Sequence, residues 1–247
     1  MAPPPLIDAA GRVALVTGAA GGIGRATVAM FRSAGANVVA MDIDAARLPE
    51  QSAALVGVVA DAADEQSVRS AVRRAIERFG RLDFAVAAAG AAGGGPLADT
   101  SLADWKRLLD VNLTSAFLLA RACHPHLQRP GGAMVMIGSS NGRNGGSQFS
   151  GAAYAVAKAG LINLARYLAK EWAPEGLRVN SVAPGPVATP MLERFSAAQH
   201  ALLKDAIPLK RYAEASEIAA AIGYLCSQHA ASMTGACINV SGGLVLD

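Results

Sequence analysis

The residues with the clearest chemical potential are Tyr154 and Lys158, which are four positions apart in the chain. The surrounding residues 152–173 are rich in Ala and Leu and predict a helix, so the two side chains would share one face. A phenol has an ordinary pKa of about 10, and a fixed ammonium group beside it favours the phenolate and lowers that pKa. The pair therefore predicts a tyrosine that acts as general acid or base on an alcohol or a carbonyl group. The alternative is a Tyr and a Lys that simply pack on a helix surface.

A glycine-rich turn near the N-terminus predicts a dinucleotide-binding loop. An apolar strand-like run over residues 12–17 leads into a turn that contains Gly18, Gly22, Ile23 and Gly24, and a helical pattern follows. Glycines let the backbone approach a pyrophosphate, and the N-terminus of the helix supplies N–H groups and a partial positive charge. A purely structural turn is the alternative, but the strand and the helix that flank the turn favour cofactor binding.

Asp42 predicts which dinucleotide binds. It ends a second apolar run, residues 37–41, and follows Gly24 by 18 positions. A carboxylate at this distance accepts hydrogen bonds from the adenosine ribose and repels a 2′-phosphate. Since no Arg or Lys occupies residues 42–46, the sequence predicts NAD, with NADP the less favoured cofactor. Asp42 as a simple cap of the next turn is the alternative.

These motifs and several others, in order, resemble the short-chain dehydrogenase/reductase family over nearly all of the 247 residues. The resemblance implies that the catalytic residues are Ser139, Tyr154, Lys158 and Asn112. It implies that the cofactor is bound by Gly18, Gly22, Ile23, Gly24, Asp42, Asp61, Ala62, Ala89, Gly90, Tyr154, Lys158, Pro184, Gly185, Val187 and Thr189.

The resemblance also implies individual roles. Asn112 would hold a water that links Lys158 to solvent, Asp61 and its neighbourhood would contact adenine, and Val187 and Thr189 would hold the carboxamide of nicotinamide. For three of these residues a structural role remains open. Asn112 would then satisfy nearby carbonyls, Asp61 would belong to a plain turn, and Thr189 would start the next helix.

Three positions depart from the family pattern. The run Ala87-Ala88-Ala89-Gly90 stands where Asn-Asn-Ala-Gly is common, so this strand is expected to be pinned differently. Ser241 replaces an Asp before two glycines, which concerns the local turn. The family serine usually lies thirteen residues before the tyrosine, where this chain has Asn141. The Ser-x-x-Gly pattern favours Ser139 as that serine, and Ser140 is the alternative.

The alternation of strand-like and helix-like segments predicts an α/β fold, a single-domain doubly wound parallel sheet (Rossmann-like) with helices on both faces. One dinucleotide-binding and catalytic domain is expected over residues 1–247, with a loose N-terminal arm over residues 1–10 and an apolar substrate-covering lid over residues 187–212. The predicted strands are 12–17, 37–42, 55–60, 83–88, 132–138, 177–182 and 236–239. The predicted helices are 23–34, 65–79, 102–128, 152–173 and 214–227.

Composition narrows the class of protein. The formal charge of +3 is small and is not gathered into a basic run, which argues against nucleic acid as a partner. No apolar stretch reaches membrane-spanning length, so no membrane is expected. The three scattered cysteines suggest reduced thiols and a cytoplasmic protein, and no Cys/His spacing predicts a metal site.

The sequence therefore predicts an NAD-dependent oxidoreductase that transfers a hydride between a small-molecule secondary alcohol or ketone and nicotinamide. The alternatives are an NADPH-dependent ketone or 3-oxoacyl reductase, a non-catalytic dinucleotide-binding regulator, and a scaffold subunit with relic catalytic residues. The resemblance and the apolar surface of helices 102–128 and 152–173 imply a homotetramer, with a dimer second. Arg143 and Arg194 either meet an acidic substrate or, as the simpler interpretation, are solvated surface arginines.

Overall fold

The computed structural model describes residues 7–147 and 149–246. Within them seven parallel strands form one sheet in the order β3-β2-β1-β4-β5-β6-β7. The strands are β1 (Val13–Thr17), β2 (Asn37–Asp42), β3 (Leu55–Val59), β4 (Phe84–Ala87), β5 (Ala133–Ile137), β6 (Arg178–Pro184) and β7 (Cys237–Val240). The strand order reverses between β1 and β4, which is the point where such sheets open a ligand crevice.

Helices cover both faces of the sheet. One apolar core joins the sheet to α2 (Glu65–Phe79), α4 (Ser115–Cys123) and α6 (Ala152–Trp172), and a second core joins it to α1 (Gly22–Ser33) and α8 (Ala215–Cys226). Within β1, Val13 and Leu15 point into the first core while Ala14 and Val16 point into the second. The prediction of a doubly wound α/β fold is therefore confirmed. The helices are α1 (Gly22–Ser33), α2 (Glu65–Phe79), α3 (Leu102–Leu109), α4 (Ser115–Cys123), α5 (Asn141–Asn144), α6 (Ala152–Trp172), α7 (Ala197–Ala206) and α8 (Ala215–Cys226).

The prediction of one helix over residues 102–128 is wrong. The chain there forms α3, a π-helical turn Asp110–Thr114, α4 and a 3₁₀ turn His124–His126. In a regular α-helix the Leu108 carbonyl would accept from the Asn112 N–H. Here the Leu108 carbonyl accepts a bond of 3.0 Å from the Asn112 side-chain amide. Single π turns of this kind are frequent at functional sites, and Asn112 is fully buried within this one.

The remaining differences lie at the ends of elements and in the loops. The other predicted strands and helices are present with ends that shift by at most two residues, and the short helices α5 and α7 were not predicted. In the predicted N-terminal arm, residues 1–6 lie outside the described residues. Residues 7–10 are packed rather than loose, because Ile7 and Ala9 are buried and the Ala9 N–H donates to the Ala34 carbonyl at 3.0 Å.

Three further observations concern membrane spans, thiols and metal ligands. No helix in residues 7–147 and 149–246 is long and apolar enough to cross a membrane. Cys123, Cys226 and Cys237 are free thiols, and the first two are buried. In the same part of the chain, no three His, Cys, Asp or Glu side chains lie close enough together to hold a metal ion.

Candidate active site

A cavity of about 770 Å³ lies along the carboxyl ends of the central strands. Its wall collects residues from separate motifs, as expected where parallel strands end on one rim. The sequence-predicted residues on this wall are Gly18, Gly22, Ile23, Gly24, Asp42, Gly90, Asn112, Ser139, Tyr154, Lys158, Pro184, Gly185, Val187 and Thr189. Three predicted cofactor residues, Asp61, Ala62 and Ala89, are not among the described residues that form the wall. Asp61 instead accepts a hydrogen bond of 2.8 Å from the Ala63 N–H within its own turn.

Close backbone packing explains the glycines of the loop after β1. Gly18 has a positive φ of 66°, and a Cβ atom there would lie 2.6 Å from the Ala88 carbonyl oxygen. A Cβ atom at Gly24 would collide with the Gly18 carbonyl, and one at Gly22 would collide with the Thr189 side chain. The loop can therefore follow this path only if positions 18, 22 and 24 lack a side chain.

The N-terminus of α1 is left open toward the cavity. Its cap residue, Gly21, provides no side-chain hydrogen bond, and the first turn contains no acidic residue. Gly22, Ile23 and Gly24, the first three residues of the helix, line the cavity. Their N–H groups have no acceptor within the helix and carry the positive end of its dipole, which suits a phosphate group.

Asp42 joins the glycine loop to the end of β2. Its Oδ2 atom accepts a hydrogen bond of 2.9 Å from the Ala20 N–H, and its Oδ1 atom accepts one of 3.0 Å from the Asp44 N–H. The carboxylate thus caps the next turn, and it also lines the cavity. Arg47 lines the same end of the cavity and lies 3.9 Å from Asp44. Arg47 follows residues 42–46, on which the prediction of NAD rests, by one position, so that prediction did not include it.

Tyr154 and Ser139 both line the cavity. The Ser139 hydroxyl acts on the Tyr154 phenol in the direction that lowers its pKa, and the Ser139 Oγ atom accepts a bond of 3.1 Å from the Asn141 N–H. Ser140 is also buried, and its N–H donates to the Pro184 carbonyl at 2.8 Å. The structure therefore pairs Ser139 with the tyrosine. The longer spacing between them is taken up by α5 and by the turn at Gly145 and Gly146, both with positive φ.

The prediction that Lys158 holds the pKa of Tyr154 below its ordinary value is wrong for this structure. Burial raises the pKa of the Tyr154 phenol, and the Ser139 hydroxyl and the charge of Arg194 offset only part of that rise. The Lys158 Nζ atom lies 5.7 Å from the centre of the tyrosine ring and donates to the Ile137 carbonyl at 2.8 Å. Burial also lowers the pKa of Lys158 to about 8, since a charged form is disfavoured away from water.

Asn112 and Lys158 converge on Gly90. A Cβ atom at Gly90 would lie 2.9 Å from the Asn112 Oδ1 atom and 3.4 Å from the Lys158 Nζ atom. Asn112 also bonds to Ala91, donating to its carbonyl at 3.0 Å and accepting from its N–H at 3.3 Å. The asparagine therefore binds the loop after β4 and belongs to the same cluster as the lysine.

The end of β4 and the residues after it lack the asparagines of the family pattern. The Thr17 side chain forms hydrogen bonds to the backbone there. The Thr17 hydroxyl donates to the Val86 carbonyl at 3.4 Å and accepts from the Ala89 N–H at 3.3 Å. This side chain at the end of β1 holds the end of β4 in place.

Comparisons with known proteins agree with this geometry. The sequence profile of a family described as Enoyl-(Acyl carrier protein) reductase matches residues 18–245. A crystal structure of a short-chain dehydrogenase/reductase from Brucella melitensis, a glucose/ribitol dehydrogenase, has a TM-score of 0.92 and 34% identity, and the match covers 98% of this chain and 99% of that one. The chain belongs to the short-chain dehydrogenase/reductase family. It is therefore an oxidoreductase of that family.

Other members of the short-chain dehydrogenase/reductase family differ in substrate and in cofactor. The cis-4-hydroxycyclohexanecarboxylate dehydrogenase of Sinomonas cyclohexanicum is 39% identical, over 94% of this chain and 96% of that protein. A Burkholderia cenocepacia short-chain dehydrogenase was solved with NADP (TM-score 0.85, 30% identity, 96% of this chain and 99% of that one). A Brucella melitensis 3-ketoacyl-(acyl-carrier-protein) reductase was solved with NADH (TM-score 0.87, 29% identity, 96% and 99%). The family thus uses both nicotinamide dinucleotides.

At the far end of the cavity, residues of segment 187–212, which the sequence predicted as a lid, meet Phe149 of the loop before α6, which the sequence did not predict. A 3₁₀ turn Pro190–Leu192 and α7 lie within residues 187–212. Arg194 donates to the Gly93 carbonyl and, at 2.7 Å, to the Phe149 carbonyl. No motif or periodicity indicated that a phenylalanine in a glycine-rich loop would meet this arginine. The side chains at this end are Phe149, Met191, Leu192, Arg194, Phe195, Leu202 and Leu203.

Proposed function

We propose that this protein is an NAD-dependent oxidoreductase that transfers a hydride between a secondary alcohol or ketone and nicotinamide. The single observation that carries the proposal is that Ser139, Tyr154 and Lys158 line one cavity together with the glycine loop, with the Lys158 Nζ atom 5.7 Å from the centre of the Tyr154 ring. A tyrosine placed this way has reach to a substrate oxygen, and a dinucleotide has a place to bind next to it.

The residues on the wall fit a nicotinamide dinucleotide. The glycine loop and the open N-terminus of α1 suit the pyrophosphate, and the Asp42 carboxylate suits the adenosine ribose. Pro184, Gly185, Val187 and Thr189 line the cavity on the Tyr154 side of that loop and suit the nicotinamide end. When bound, the nicotinamide takes up or releases the hydride, and its oxidised ring adds positive charge near Tyr154. We assign no direct contact to Asp61, Ala62 or Ala89.

Each catalytic side chain has one task in this mechanism. In oxidation the Tyr154 phenolate accepts the proton of the substrate hydroxyl, and in reduction the phenol returns that proton to the forming alkoxide. Ser139 donates a hydrogen bond to the same substrate oxygen and stabilises the charge that develops there. Lys158, whose Nζ atom lies near Gly90 together with Asn112, would hold the nicotinamide ribose. Asn112, which is bonded to the loop after β4, positions Gly90 and Lys158. It would also hold a water that links Lys158 to solvent.

An NADPH-dependent ketone or 3-oxoacyl reductase is the second candidate, because Arg47 lines the adenosine end of the cavity. A guanidinium there would suit a 2′-phosphate. The Asp42 carboxylate favours NAD, since it lies at the end of β2 and would repel that phosphate. A comparison of kcat/KM for NADH and NADPH decides between them, and a preference for NADPH would overturn the assignment of NAD.

An assembly and a cellular location are part of the proposal. Phe117 on α4 and Val156 on α6 are 43% and 50% exposed, and Leu246 near the C-terminus is also exposed. We infer that these apolar side chains contact other copies in a homotetramer, and that the free thiols belong to a protein of the cytoplasm. Light scattering should give four times the chain mass of 25.1 kDa. A monomer mass would contradict the assembly.

The decisive experiment follows the absorbance of NADH over a panel of secondary alcohols and ketones, with Tyr154→Phe and Tyr167→Phe compared. Tyr167 lies on the same helix but is exposed, so it serves as the matched control. Tyr154→Phe should lower kcat/KM by about 10³-fold or more while NADH binding is kept, because the acid–base group is lost. NADH binding without turnover of any compound would favour the non-catalytic regulator instead.

A further inference from the structure

The charged side chains along the cavity are unevenly placed. Among the described wall residues, Asp42, Asp44 and Arg47 lie at the glycine-loop end and Lys158 lies in the catalytic cluster. Arg194 is the remaining charged residue on the described wall, and it lies at the end away from the glycine loop. A substrate in that part of the cavity would therefore meet one cation among apolar walls.

Arg194 lies close to the catalytic tyrosine. It donates to the Gly93 carbonyl, and a Cβ atom at Gly93 would be only 3.5 Å from the Tyr154 Cβ atom. The positive charge of Arg194 also acts on the Tyr154 phenol. Arg194 and Tyr154 thus line the same cavity within range of an electrostatic interaction.

Arg194 differs from the neighbouring cations of the same segment. Arg211 pairs with Glu217 at 2.7 Å and Lys210 pairs with Asp205 at 2.8 Å. Within residues 7–147 and 149–246, no carboxylate lies within 4.0 Å of Arg194. Its two bonds to backbone carbonyls orient the guanidinium and use two of its five N–H groups, but they do not balance its charge.

The walls on either side of Arg194 are apolar and partly aromatic. The Phe149 and Phe195 rings pack edge to face with centroids 5.7 Å apart, and the Arg194 guanidinium lies 4.6 Å from the centre of the Phe195 ring. Leu202 and Leu203 of α7 continue this wall. Such a surface suits a ring or an alkyl body and offers little to the hydroxyls of a sugar.

We propose that Arg194 binds a carboxylate of the substrate, so that the protein oxidises hydroxy acids, or reduces keto acids, whose apolar body packs against Phe149 and Phe195. The proposal rests on the function proposed above and names its substrate class. A planar guanidinium held by two carbonyls presents its remaining N–H groups in a fork that matches a carboxylate. Arg194 is then the specificity-determining residue, and Tyr154 and Ser139 act on the carbinol.

The test uses acid and ester pairs that share everything except the charge. The pairs are 4-hydroxycyclohexanecarboxylate with its methyl ester and 3-hydroxyoctanoate with its methyl ester. The wild-type kcat/KM should favour at least one acid over its ester by about 10- to 100-fold, the usual value of a hydrogen-bonded charge. Arg194→Gln should remove this preference through the KM of the acid and change the ester less than about threefold. Arg194→Lys should restore part of it.

Two controls separate recognition from general damage. Arg74→Gln removes an exposed arginine from α2 and should leave both rates unchanged. Inhibition by cyclohexanecarboxylate and by its primary amide measures binding independently of turnover, and only the acid should lose affinity in Arg194→Gln. Melting temperature and NADH fluorescence confirm that each variant is folded and binds cofactor.

Three results would overturn the proposal. If the wild-type kcat/KM were the same for each ester as for its acid, Arg194 would not bind a substrate carboxylate. Equal losses on acid and ester in Arg194→Gln would show that the arginine only ties residues 187–212 to the Gly93 and Phe149 loops. Turnover of neutral alcohols without any turnover of acids would reject the acidic substrate and keep the proposed reaction, whereas no turnover of any alcohol or ketone would reject both.

Discussion

The two ends of the cavity are built by different means. At the glycine-loop end the contacts are made by the backbone, and added Cβ atoms at Gly18, Gly22 and Gly24 would collide with neighbouring atoms. At the other end the contacts are made by side chains of a segment with little burial, and α7 contains no buried residue. The first end is therefore constrained by the fold itself. The second can change its side chains at small cost in stability.

The segment of residues 187–212 is nevertheless fixed in place at a few points. Val187 and Ile207 are buried at either side of α7, and Ser196 and Gln199 form a reciprocal capping box at its start. The Tyr212 hydroxyl and the His200 ring are joined by a bond of 2.7 Å. These anchors set the path of the chain and leave the side chains between them to determine which substrate fits.

The largest effect should come from Gly24→Ala, which tests whether the cofactor end is set by backbone packing. A methyl group there would collide with the Gly18 carbonyl, so NADH affinity should fall by about 100-fold and stability by about 1–3 kcal/mol. Fluorescence titration and thermal melting measure the two effects. Gly57→Ala is the control, because the nearest atom to its new Cβ would be 3.6 Å away. Unchanged NADH affinity in Gly24→Ala would remove the distinction between the two ends.

The same distinction explains what the sequence predicted and what it did not. Gly18, Gly22 and Gly24 were predicted because a tight backbone approach admits only one residue type, and the pattern of strand, turn and helix around them is local. The residues that surround Arg194 come from loops near positions 93, 149 and 195, and no short-range pattern links them. The π turn was missed because Asn112 bonds to Ala91, a contact between distant parts of the sequence.

Lys158 is buried and also lines the cavity. Its substitution should therefore raise stability while it abolishes activity. Burial lowers its pKa to about 8, against about 10.4 in an unfolded chain. Below pH 8 the folded state must hold a buried charge, so Lys158→Met should raise the free energy of unfolding by about 1–3 kcal/mol at pH 7 while activity is lost. The unfolded chain binds the proton more tightly, so the wild type gains stability as pH rises from 8 to 10.

Urea titrations at pH 7 and pH 10 check this expectation. The advantage of Lys158→Met should be largest at pH 7 and should shrink at pH 10, where the lysine is mostly neutral in the folded state. Lys170→Met, at an exposed position on the same helix, should show no such dependence. An advantage that grows with pH would mean that the lysine is not buried as a charge.

Asp42→Asn should change the choice of cofactor with a smaller effect on the fold. The amide keeps an acceptor for either the Ala20 or the Asp44 N–H, which Asp42 now bonds at 2.9 and 3.0 Å, but it removes the negative charge. The ratio of kcat/KM for NADPH to that for NADH should rise by about tenfold, with Arg47 free to meet the 2′-phosphate. Steady-state rates with both cofactors measure the ratio. If Arg47→Gln in the same chain brought the ratio back down, Arg47 would be the group that meets the 2′-phosphate. An unchanged ratio in Asp42→Asn would show that the Asp42 charge does not determine the choice of cofactor.

Leu202→Ala should have the smallest effect, and it tests the segment of residues 187–212 directly. Leu202 lines the cavity, yet its residue is 63% exposed. Its removal should shift the melting temperature by no more than about 1 °C, because little apolar surface is buried by the fold. The KM of substrates with a bulky apolar body should rise about threefold, while that of the smallest substrates stays the same. Leu97→Ala, at an equally exposed leucine away from the cavity, should change neither quantity. If Leu202→Ala instead lowered the melting temperature by several degrees without altering any KM, the side chains of α7 would stabilise the fold rather than select the substrate. Both ends of the cavity would then be constrained by the fold.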